Sequence, residues 1–309
     1  MSELVLPRVI FLMGPTASGK TALGVELASS LNAEIISVDS ALVYRGMDIG
    51  TAKPDLAERR GITHHLIDIL DPSEVFSAGQ FREQALALVA DICGRGKVPI
   101  FVGGTMLYFH VLLNGLAQLP DADVGIREEI DQQAQLEGWV AVHNRLKTID
   151  PTAAARIHPN DPQRIQRALE VYLVSGKSQT DWLNEQAKPL LPFQPLKFVI
   201  APAEREGLHK KIVLRFDQML EQGFLDEVKG LFNRGDLDAS MPAIRAVGYR
   251  QAWSYLLDEY DKKTFREKAI IATRQLAKRQ FTWLRRQTDV SWLETGDNLV
   301  KDKVLASVK

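Results

Sequence analysis

Eight consecutive residues near the start of the sequence have the types and spacing needed to hold a phosphate group. They are Gly14, Pro15, Thr16, Ala17, Ser18, Gly19, Lys20 and Thr21. They match the phosphate-loop pattern G-x-x-x-x-G-K-[ST] at every fixed position. In such a loop, backbone N–H groups and the N-terminus of the next helix surround an anion. Lys20 would add positive charge and the Thr21 hydroxyl would bind Mg²⁺, so the sequence predicts a polyphosphate ligand.

The segments on either side have the character that this loop requires. Residues 9–13 form an apolar run that predicts a buried strand, and residues 22–28 predict the start of a helix. A glycine-rich turn formed by chance is the alternative. The order of strand, loop and helix argues against it.

An acidic residue follows the second predicted strand. Residues 35–38 are apolar or small, and Asp39 comes directly after them. In open parallel α/β sheets, ligands bind beyond the carboxyl ends of the strands, so Asp39 is predicted to face the phosphate loop. A carboxylate there is suited to holding Mg²⁺ or to accepting a proton from a nucleophile. The alternative is an aspartate that only shapes the turn.

Two further strands are predicted before the middle of the chain. Residues 64–70 form one, and the pair His64 and His65 at its start has no third metal ligand spaced nearby. Residues 98–105 form the other and end in Gly103, Gly104 and Thr105. Glycines permit close approach of a ligand to the backbone, and Thr105 either caps the next helix or bonds a substrate. The absence of an aspartate there counts against hydrolysis of ATP or GTP.

Composition and charge narrow the class of protein. The 309 residues are 45% hydrophobic and 25% charged, with a net charge of −1, so nucleic-acid binding would need a local basic patch. Cys93 is the single cysteine, and no cluster has zinc-site spacing. There is neither a signal-peptide pattern nor an apolar run long enough to span a bilayer. We expect a cytoplasmic protein that acts as a monomer, with no membrane partner.

The predicted secondary structure changes in the middle of the chain. Between residues 119 and 188, strand-like runs disappear and short helical patterns replace them, two of which begin with Asp–Pro. Strand character returns at residues 196–201. We therefore predict an α/β fold: a phosphate-loop core with a parallel sheet flanked by helices, formed by residues 1–118 and 189–309. Residues 119–188 form an inserted helical lobe.

Arginines in three helical patterns have two possible explanations each. Arg164 and Arg167 share one face of a helix start, where they are either solvated or in contact with nucleic acid. Arg215 lies among apolar neighbours and is either a surface arginine or an anion clamp. Residues 242–250 combine an aromatic residue with two arginines, which suits either plain packing or a groove for a base.

The last long helical pattern is strongly basic. Residues 262–286 contain nine Lys or Arg and one acid, a net charge of +8 (9 − 1) in a chain whose total is −1. Helical spacing places Arg274, Lys278 and Arg285 on one stripe, with Phe281 and Trp283 beside them. A solvated face normally mixes signs. The single sign, together with aromatic residues, favours contact with a nucleic-acid backbone.

Seven motifs, taken in order, resemble those of the bacterial tRNA dimethylallyltransferases, also called tRNA isopentenyltransferases, over nearly the whole length. They begin at Gly14, Ser37, Asp48, Val102, His158, Ala246 and Arg274 and read GPTASGKT, SVDS, DIGTAK, VGGT, HPNDPQR, AVGYR and RQLAKR. The phosphate loop alone is shared by many families, whereas the ordered set is specific.

The resemblance implies transfer of a dimethylallyl group from its diphosphate to N6 of adenosine 37, in the anticodon loop of tRNA. Asp39 would be the general base, and Thr16, Lys20 and Arg215 would stabilise the diphosphate, with Mg²⁺ on Thr21. The phosphate loop, residues 14–21, would hold that diphosphate. The resemblance also implies that Arg274 and Lys278 grip tRNA phosphates. The other residues that it places on the RNA side are Asp39, Ser40, Ala41, Leu42, Thr105, Arg127, Gln163, Arg164, Ile165, Gln166, Arg167, Ile244, Arg245, Ala246, Val247, Gly248 and Tyr249.

Two other functions share part of this pattern. An ATP-dependent small-molecule kinase would use the same loop, Mg²⁺ and strand-end aspartate, but it leaves the basic helix unexplained. A GTPase switch would need an N-K-x-D element, and the sequence has none.

Overall fold

The chain folds into two compact units, of which the computed structural model describes residues 6–117, 119–185 and 189–308. One unit, here called the core unit, contains Met1–Leu113 together with Leu191–Lys309. The other, here called the helical lobe, is Asn114–Leu190. It corresponds to the segment at 119–188 that the sequence predicts to be helical.

A single parallel sheet forms the centre of the core unit. Among the described residues its strands are β1 Arg8–Met13, β2 Ala33–Val38, β3 His64–His65, β4 Val98–Gly103, β5 Gln194–Ala201 and β6 Val290–Glu294. Their order across the sheet is β3-β2-β4-β1-β5-β6, and every neighbouring pair is parallel. The predicted α/β class with a parallel sheet is confirmed.

Helices occupy the connections between strands and make up the lobe. In chain order they are α1 Lys20–Leu31, α2 Leu56–Arg59, α3 Ala78–Gly94, α4 Met106–Asn114, α5 Val124–Glu137, α6 Trp139–Ile149, α7 Pro151–Arg156, α8 Pro162–Ser175, α9 Gln179–Glu185, α10 Arg205–Glu221, α11 Phe224–Phe232, α12 Tyr249–Leu256, α13 Lys262–Leu284 and α14 Val300–Val308. None of the helices in the described ranges has the length and apolar character needed to cross a bilayer.

Two apolar cores lie on opposite faces of the sheet. On β1, Phe11 and Met13 enter one core and Ile10 and Leu12 enter the other, because successive side chains of a strand point to opposite faces. Helices α1 and α14 cover the face of Ile10, while α3, α4 and α10–α13 cover the face of Phe11. Burial on both faces explains why the strands are continuous apolar runs in the sequence.

Three central strands end at the same level. Met13 of β1 pairs with Gly103 of β4, and Gly103 pairs with Val38 of β2. The residues that follow, Gly14, Gly104 and Asp39, are therefore neighbours at the carboxyl edge of the sheet. This edge is where open parallel sheets bind ligands.

Two details of the sheet differ from the sequence prediction. The strand predicted at 64–70 is only His64–His65, because Leu66 and Asp68 have positive φ angles of 60° and 58°, which end the pairing. The second difference is β6, which follows the basic helix and was not predicted; it pairs with β5.

The lobe has its own small apolar core, to which Ile130, Val142, Leu146, Ile165 and Leu169 contribute. Its helices α7 and α8 begin as the sequence predicts. The Asp150 and Asp161 side chains cap them, each followed by proline at the first helical position.

Candidate functional site

The phosphate loop connects β1 to α1 and leaves the start of that helix open. Gly19 precedes α1 with a φ of 83°, and Ala17 has a φ of 62°, so the chain turns twice through left-handed backbone. No side chain caps the N-terminus of α1. The first N–H groups of this helix therefore point outward without a helical partner, as an anion site requires.

Gly14 is required by the packing of the loop on the sheet. A Cβ atom at this position would lie 2.4 Å from the carbonyl oxygen of Ile200 and 2.7 Å from the Oγ of Ser18. Ser18 Oγ is itself buried with no hydrogen-bond partner among the described residues. Any larger residue at position 14 would push the loop away from β5.

Two distant side chains tie the loop down. Gln280 of α13 accepts a hydrogen bond from the Thr16 N–H at 2.9 Å and donates one to the Gly104 carbonyl at 2.9 Å. Thr295, just after β6, donates its hydroxyl proton to the Ser18 carbonyl at 3.0 Å. Sequence reasoning missed both residues. The available signal was that Gln280 is a polar residue on the buried stripe of α13 that includes Ala277 and Leu284.

Lys20, Asp39 and Arg215 form a group of interacting charges. Burial lowers the pKa of Lys20 to about 8; the charge of Asp39 raises it and that of Arg215 lowers it further. Burial also lowers the pKa of Arg215, against the opposing charges of Asp39 and Glu58. Lys20 Nζ donates to the Pro15 carbonyl at 3.2 Å. Asp39 therefore interacts with two cations beside the loop, and Glu58 interacts with one of them, Arg215.

Arg215 is half-buried, and within the described ranges it has no hydrogen bond or salt bridge. A guanidinium in that setting lacks the acceptors that its five donors require. Of the two explanations for Arg215, the structure therefore favours an anion clamp over a surface arginine.

Asp39 is held at the end of β2 by its own turn. Its Oδ1 accepts the Ala41 N–H at 2.9 Å. The Val38 carbonyl just before it accepts the N–H groups of Gly104 and Thr105, and the Thr105 Oγ1 accepts the Ser40 N–H at 3.0 Å. Thr105 therefore fixes the backbone beside Asp39. Ser40, the next residue, is exposed.

A buried tyrosine that sequence reasoning missed, Tyr108, interacts with this carboxylate. Burial, followed by the charges of Tyr44 and Asp39, raises the pKa of Tyr108. Its hydroxyl donates to the Phe76 carbonyl, and its ring stacks on Phe81 with centroids 4.4 Å apart.

The side chains near the loop suit a Mg²⁺ ion that is held mainly by the phosphate oxygens of a bound molecule. Magnesium usually takes one or two protein oxygens and completes its shell with water and phosphate oxygens. The Thr21 hydroxyl, in the first turn of α1, is exposed and has no partner in the described part of the chain. No group of three or more His, Cys, Asp or Glu residues there forms a cage for a metal. The donor set therefore fits an ion that arrives with a diphosphate.

The predicted RNA contacts of Ile244, Gly248 and Tyr249 are not supported. Ile244 and Tyr249 are 0% exposed and Gly248 is also buried. The Tyr249 hydroxyl donates to Glu227 at 2.5 Å. The same carboxylate accepts N–H groups of the loop at 48–50, at 2.7–3.1 Å. This segment stabilises the loop from inside. Of its neighbours, Arg245 is exposed and Ala246 and Val247 are half-buried.

In the lobe, two of the predicted RNA-contacting arginines neutralise a buried acid. Arg127 donates to both oxygens of Glu170, whose side chain is 0% exposed, and Arg167 donates to Oε2. Burial raises the pKa of Glu170, but these hydrogen bonds outweigh it and the net shift is downward. Their principal role is structural.

The other predicted residues of α8 differ in exposure. Ile165 lies in the core of the lobe, so its predicted RNA contact is not supported. Gln166 donates to Asp131 at 2.7 Å. Gln163 and Arg164 are exposed, and Arg164 forms an ion pair with Asp161 at 3.5 Å, whereas Gln166 and Arg167 are half-buried.

The basic helix α13 has one buried face and one cationic face. Phe265, Ala269, Ala277 and Leu284 are buried, and Arg266 forms a bidentate ion pair with Asp217 of α10. In the described ranges, no acidic side chain lies within salt-bridge distance of Arg274, Lys278 or Arg279. Arg274 is half-buried, and its Nε is enclosed with no acceptor.

Known proteins resemble this chain in sequence and in structure. A sequence profile of the family described as IPP transferase matches residues 42–287. The chain is 59% identical over 309 residues to a tRNA dimethylallyltransferase of Methylococcus capsulatus, covering 100% of this chain and 99% of that one.

Solved structures agree. A full-length tRNA isopentenylpyrophosphate transferase of Bacillus halodurans is 38% identical with a TM-score of 0.71, covering 97% of this chain and 94% of that one. The enzyme described as a tRNA delta(2)-isopentenylpyrophosphate transferase of Staphylococcus epidermidis is 34% identical with a TM-score of 0.70, over 98% of each chain. A eukaryotic dimethylallyltransferase acting on tRNA is 30% identical with a TM-score of 0.78, over 97% of this chain and 77% of that one.

The matched profile covers most of the chain, and the relatives match it from end to end at identities of 30% or more. The chain belongs to the IPP transferase family.

Proposed function

We propose that this protein transfers a dimethylallyl group from dimethylallyl diphosphate to N6 of the adenosine just 3′ of the anticodon, position 37 of tRNA, and releases diphosphate. The observation that carries the proposal is the charge arrangement at the carboxyl edge of the sheet. Lys20 and the unpaired Arg215 interact with Asp39 beside the open N-terminus of α1. That arrangement supplies an anion site and a base in one place.

The diphosphate site supports departure of the leaving group. When the allylic C–O bond breaks, positive charge develops on the dimethylallyl carbon and negative charge on the diphosphate. Fixed donors aimed at developing charge lower the barrier most effectively. The loop N–H groups, Lys20 and Arg215 provide such donors, and the Thr16 side chain is a further candidate. The Thr16 backbone N–H is already occupied by Gln280.

Asp39 supports attack by the nucleophile. The N6 amine forms a bond to the dimethylallyl carbon, and one of its protons moves to a carboxylate oxygen. Asp39 Oδ1 is fixed by the Ala41 N–H, which leaves Oδ2 to accept that proton. An exocyclic amine is a weak nucleophile, so its orientation matters at least as much as the base.

The RNA side draws on polar and cationic side chains of α13 and α8. The target base must leave the anticodon-loop stack to reach an enclosed site. Arg274 and Lys278 lie on the cationic face of α13 and suit tRNA phosphates, as do the exposed Gln163 and Arg164 of the lobe. One copy of the chain supplies every group invoked, so we expect a monomer to act, in the cytoplasm.

Mg²⁺ would be held by Thr21 together with the diphosphate, where it would neutralise part of the charge on the leaving group. The protein residues keep their own roles: Lys20 and Arg215 bind, and Asp39 takes the proton.

A transfer assay tests the proposal. Radiolabelled dimethylallyl diphosphate and Mg²⁺ are mixed with the protein and unmodified tRNA that has adenosine at position 37, and labelled ATP is run in parallel. We expect label in the RNA, lost when that adenosine is changed to guanosine. Phosphate transfer from ATP without label in the RNA would contradict the proposal and indicate a kinase.

A further inference from the structure

Gln280 lies on the buried face of α13 with Ala277 and Leu284, and the residue is 7% exposed. Its amide has one acceptor and one donor end, and both are used. Oε1 accepts the Thr16 N–H at 2.9 Å, and Nε2 donates to the Gly104 carbonyl at 2.9 Å. The partners fix the amide orientation, because a backbone N–H only donates and a backbone carbonyl only accepts.

The surroundings of Gln280 leave no room for rearrangement. A Cβ atom on Gly104 would lie 2.4 Å from Nε2 of Gln280 and 3.2 Å from the Gly14 carbonyl oxygen. Residue 104 must therefore be glycine for Gln280 to reach between the end of β4 and the phosphate loop. The three residues form a close-packed contact between β4, the loop and α13.

The part of the loop that Gln280 holds is conformationally strained. Ala17, next to Thr16, has a φ of 62°, a value that non-glycine residues adopt only when their surroundings impose it. Gln280 anchors the residue before Ala17, and Thr295 anchors the Ser18 carbonyl after it. The left-handed turn is thus fixed on both sides by side chains from the last third of the chain.

We propose that Gln280 is a positioning residue that holds the phosphate loop in its diphosphate-binding shape and connects it to the tRNA-facing helix α13. The proposal deepens the proposed function, on which it relies for diphosphate as the ligand and for RNA on α13. Gln280 does not touch the substrate. It acts through the Thr16 backbone and the strained turn at Ala17.

The first test is binding of inorganic diphosphate with Mg²⁺, measured by calorimetry without tRNA. Gln280→Met keeps the length of the side chain but removes both hydrogen bonds, and it leaves the half-buried Thr16 N–H without its partner. We expect the diphosphate affinity to fall by about tenfold or more. Gln275→Met, at an exposed position of the same helix, is the matched control and should bind normally. Unchanged affinity in a folded Gln280→Met protein would overturn the proposal.

Two further variants keep the test decisive if Gln280→Met is unstable. In Gln280→Glu, the ionised carboxylate would face the Gly104 carbonyl, whereas the protonated acid copies the amide, accepting from Thr16 and donating to Gly104. Its diphosphate affinity, relative to the unchanged protein at each pH, should therefore rise as pH falls from 8 to 5.5. Gly104→Ala should weaken binding through the same contact, and in the double variant the two losses should not add. The proposal would be overturned if the affinity of Gln280→Glu, relative to the unchanged protein, did not vary with pH. It would also be overturned if the losses of affinity in the double variant were fully additive.

These outcomes separate the inference from the proposed function. Normal prenyl transfer with unaffected diphosphate binding in Gln280→Met would reject the positioning role alone. Loss of diphosphate affinity in that variant, with no prenyl transfer by the unchanged protein, would support the role of Gln280 and reject the proposed function.

Discussion

The hydroxyl of Thr295 donates a hydrogen bond to the carbonyl oxygen of Ser18 at 3.0 Å, across a separation of 277 residues. Thr295 follows β6, the edge strand, and its own N–H donates to the Ala201 carbonyl at the end of β5. The last strand of the sheet thereby stabilises the phosphate loop that follows the first.

Replacing Thr295 by valine should weaken diphosphate binding without changing the fold. Valine keeps the branched shape and the methyl group near Gly19 but loses the hydrogen bond to Ser18. One hydrogen bond of this kind contributes about 1 kcal/mol, so we expect roughly a fivefold rise in the Kd for dimethylallyl diphosphate. Thr288→Val, at an exposed site in the connection before β6, is the control. Equal affinities in the two variants would show that the loop does not need this tether.

Asp39→Asn should lower the rate of the chemical step and leave tRNA affinity nearly unchanged. Asparagine retains an oxygen for the Ala41 N–H but cannot take a proton from N6. General-base catalysis is typically worth about 10²–10⁴ in rate, so kcat should fall by at least about 100-fold. Single-turnover transfer and filter binding of tRNA measure the two quantities. Similar losses in rate and in tRNA affinity would argue for a role in binding instead.

Binding of dimethylallyl diphosphate should weaken as pH rises through the pKa of Lys20. Burial places that pKa at about 8 in the free protein, so Lys20 is mostly protonated at pH 7 and mostly neutral at pH 9. An anion favours the protonated form, and binding above pH 8 must therefore include uptake of a proton. We expect roughly an eightfold loss of affinity between pH 7.5 and pH 9.

Lys20→Met is the control for this pH dependence. It should bind the diphosphate more weakly at every pH, with a flatter profile over the same range. A profile of the unchanged protein that is as flat as that of Lys20→Met would assign the charge that binds diphosphate to another residue.

Local patterns were enough to predict the first half of the site. The phosphate loop, the strand before it and the helix after it follow from residues adjacent in sequence. The position of Asp39 follows from the general rule about carboxyl ends of parallel strands. Gln280 and Thr295 were missed because their contacts with the loop span 264 and 277 residues, and no local pattern encodes such contacts.

Motif resemblance predicted RNA-contacting segments but not the direction of each side chain in them. Tyr249 belongs to a matching motif and Ile165 directly follows one, yet both are 0% exposed. A residue of a motif serves packing as well as contact with substrate. For Tyr249, the hydrogen bond to Glu227 and the packing of Gly50 against Phe224 and Tyr249 supply that packing role.

Neutralising Arg274 and Lys278 should weaken tRNA binding and reduce its dependence on salt. Each phosphate contact releases counterions, so the slope of log K against log salt should shrink by about one for each contact removed. The variants to compare are Arg274→Gln, Lys278→Gln and the double variant that carries both. The control is Lys210→Gln, because Lys210 is an exposed lysine of α10 that pairs with Glu206. If the salt slope stays at its original value in the double variant, RNA does not bind along α13.

Glu34→Gln should reduce stability at neutral pH and flatten its dependence on acid. Glu34, at the opposite end of β2 from Asp39, is 3% exposed and bonds Arg95, Lys97 and His65. The hydrogen bonds from Arg95, followed by those from Lys97 and His65, outweigh burial and lower the pKa of Glu34 far below its usual value.

A carboxyl group whose pKa is lower in the folded state stabilises the fold above its unfolded pKa, which is about 4.3, and loses that contribution as pH falls. The unchanged protein should therefore lose stability below about pH 5 more steeply than Glu34→Gln. At pH 7 the variant should be less stable by about 2 kcal/mol in urea unfolding. Asp91→Asn removes only the exposed partner of Arg95 and should cost less than about 0.5 kcal/mol. If stability depended on pH in the same way in Glu34→Gln and Asp91→Asn, the buried cluster would contribute no more to stability than a surface ion pair.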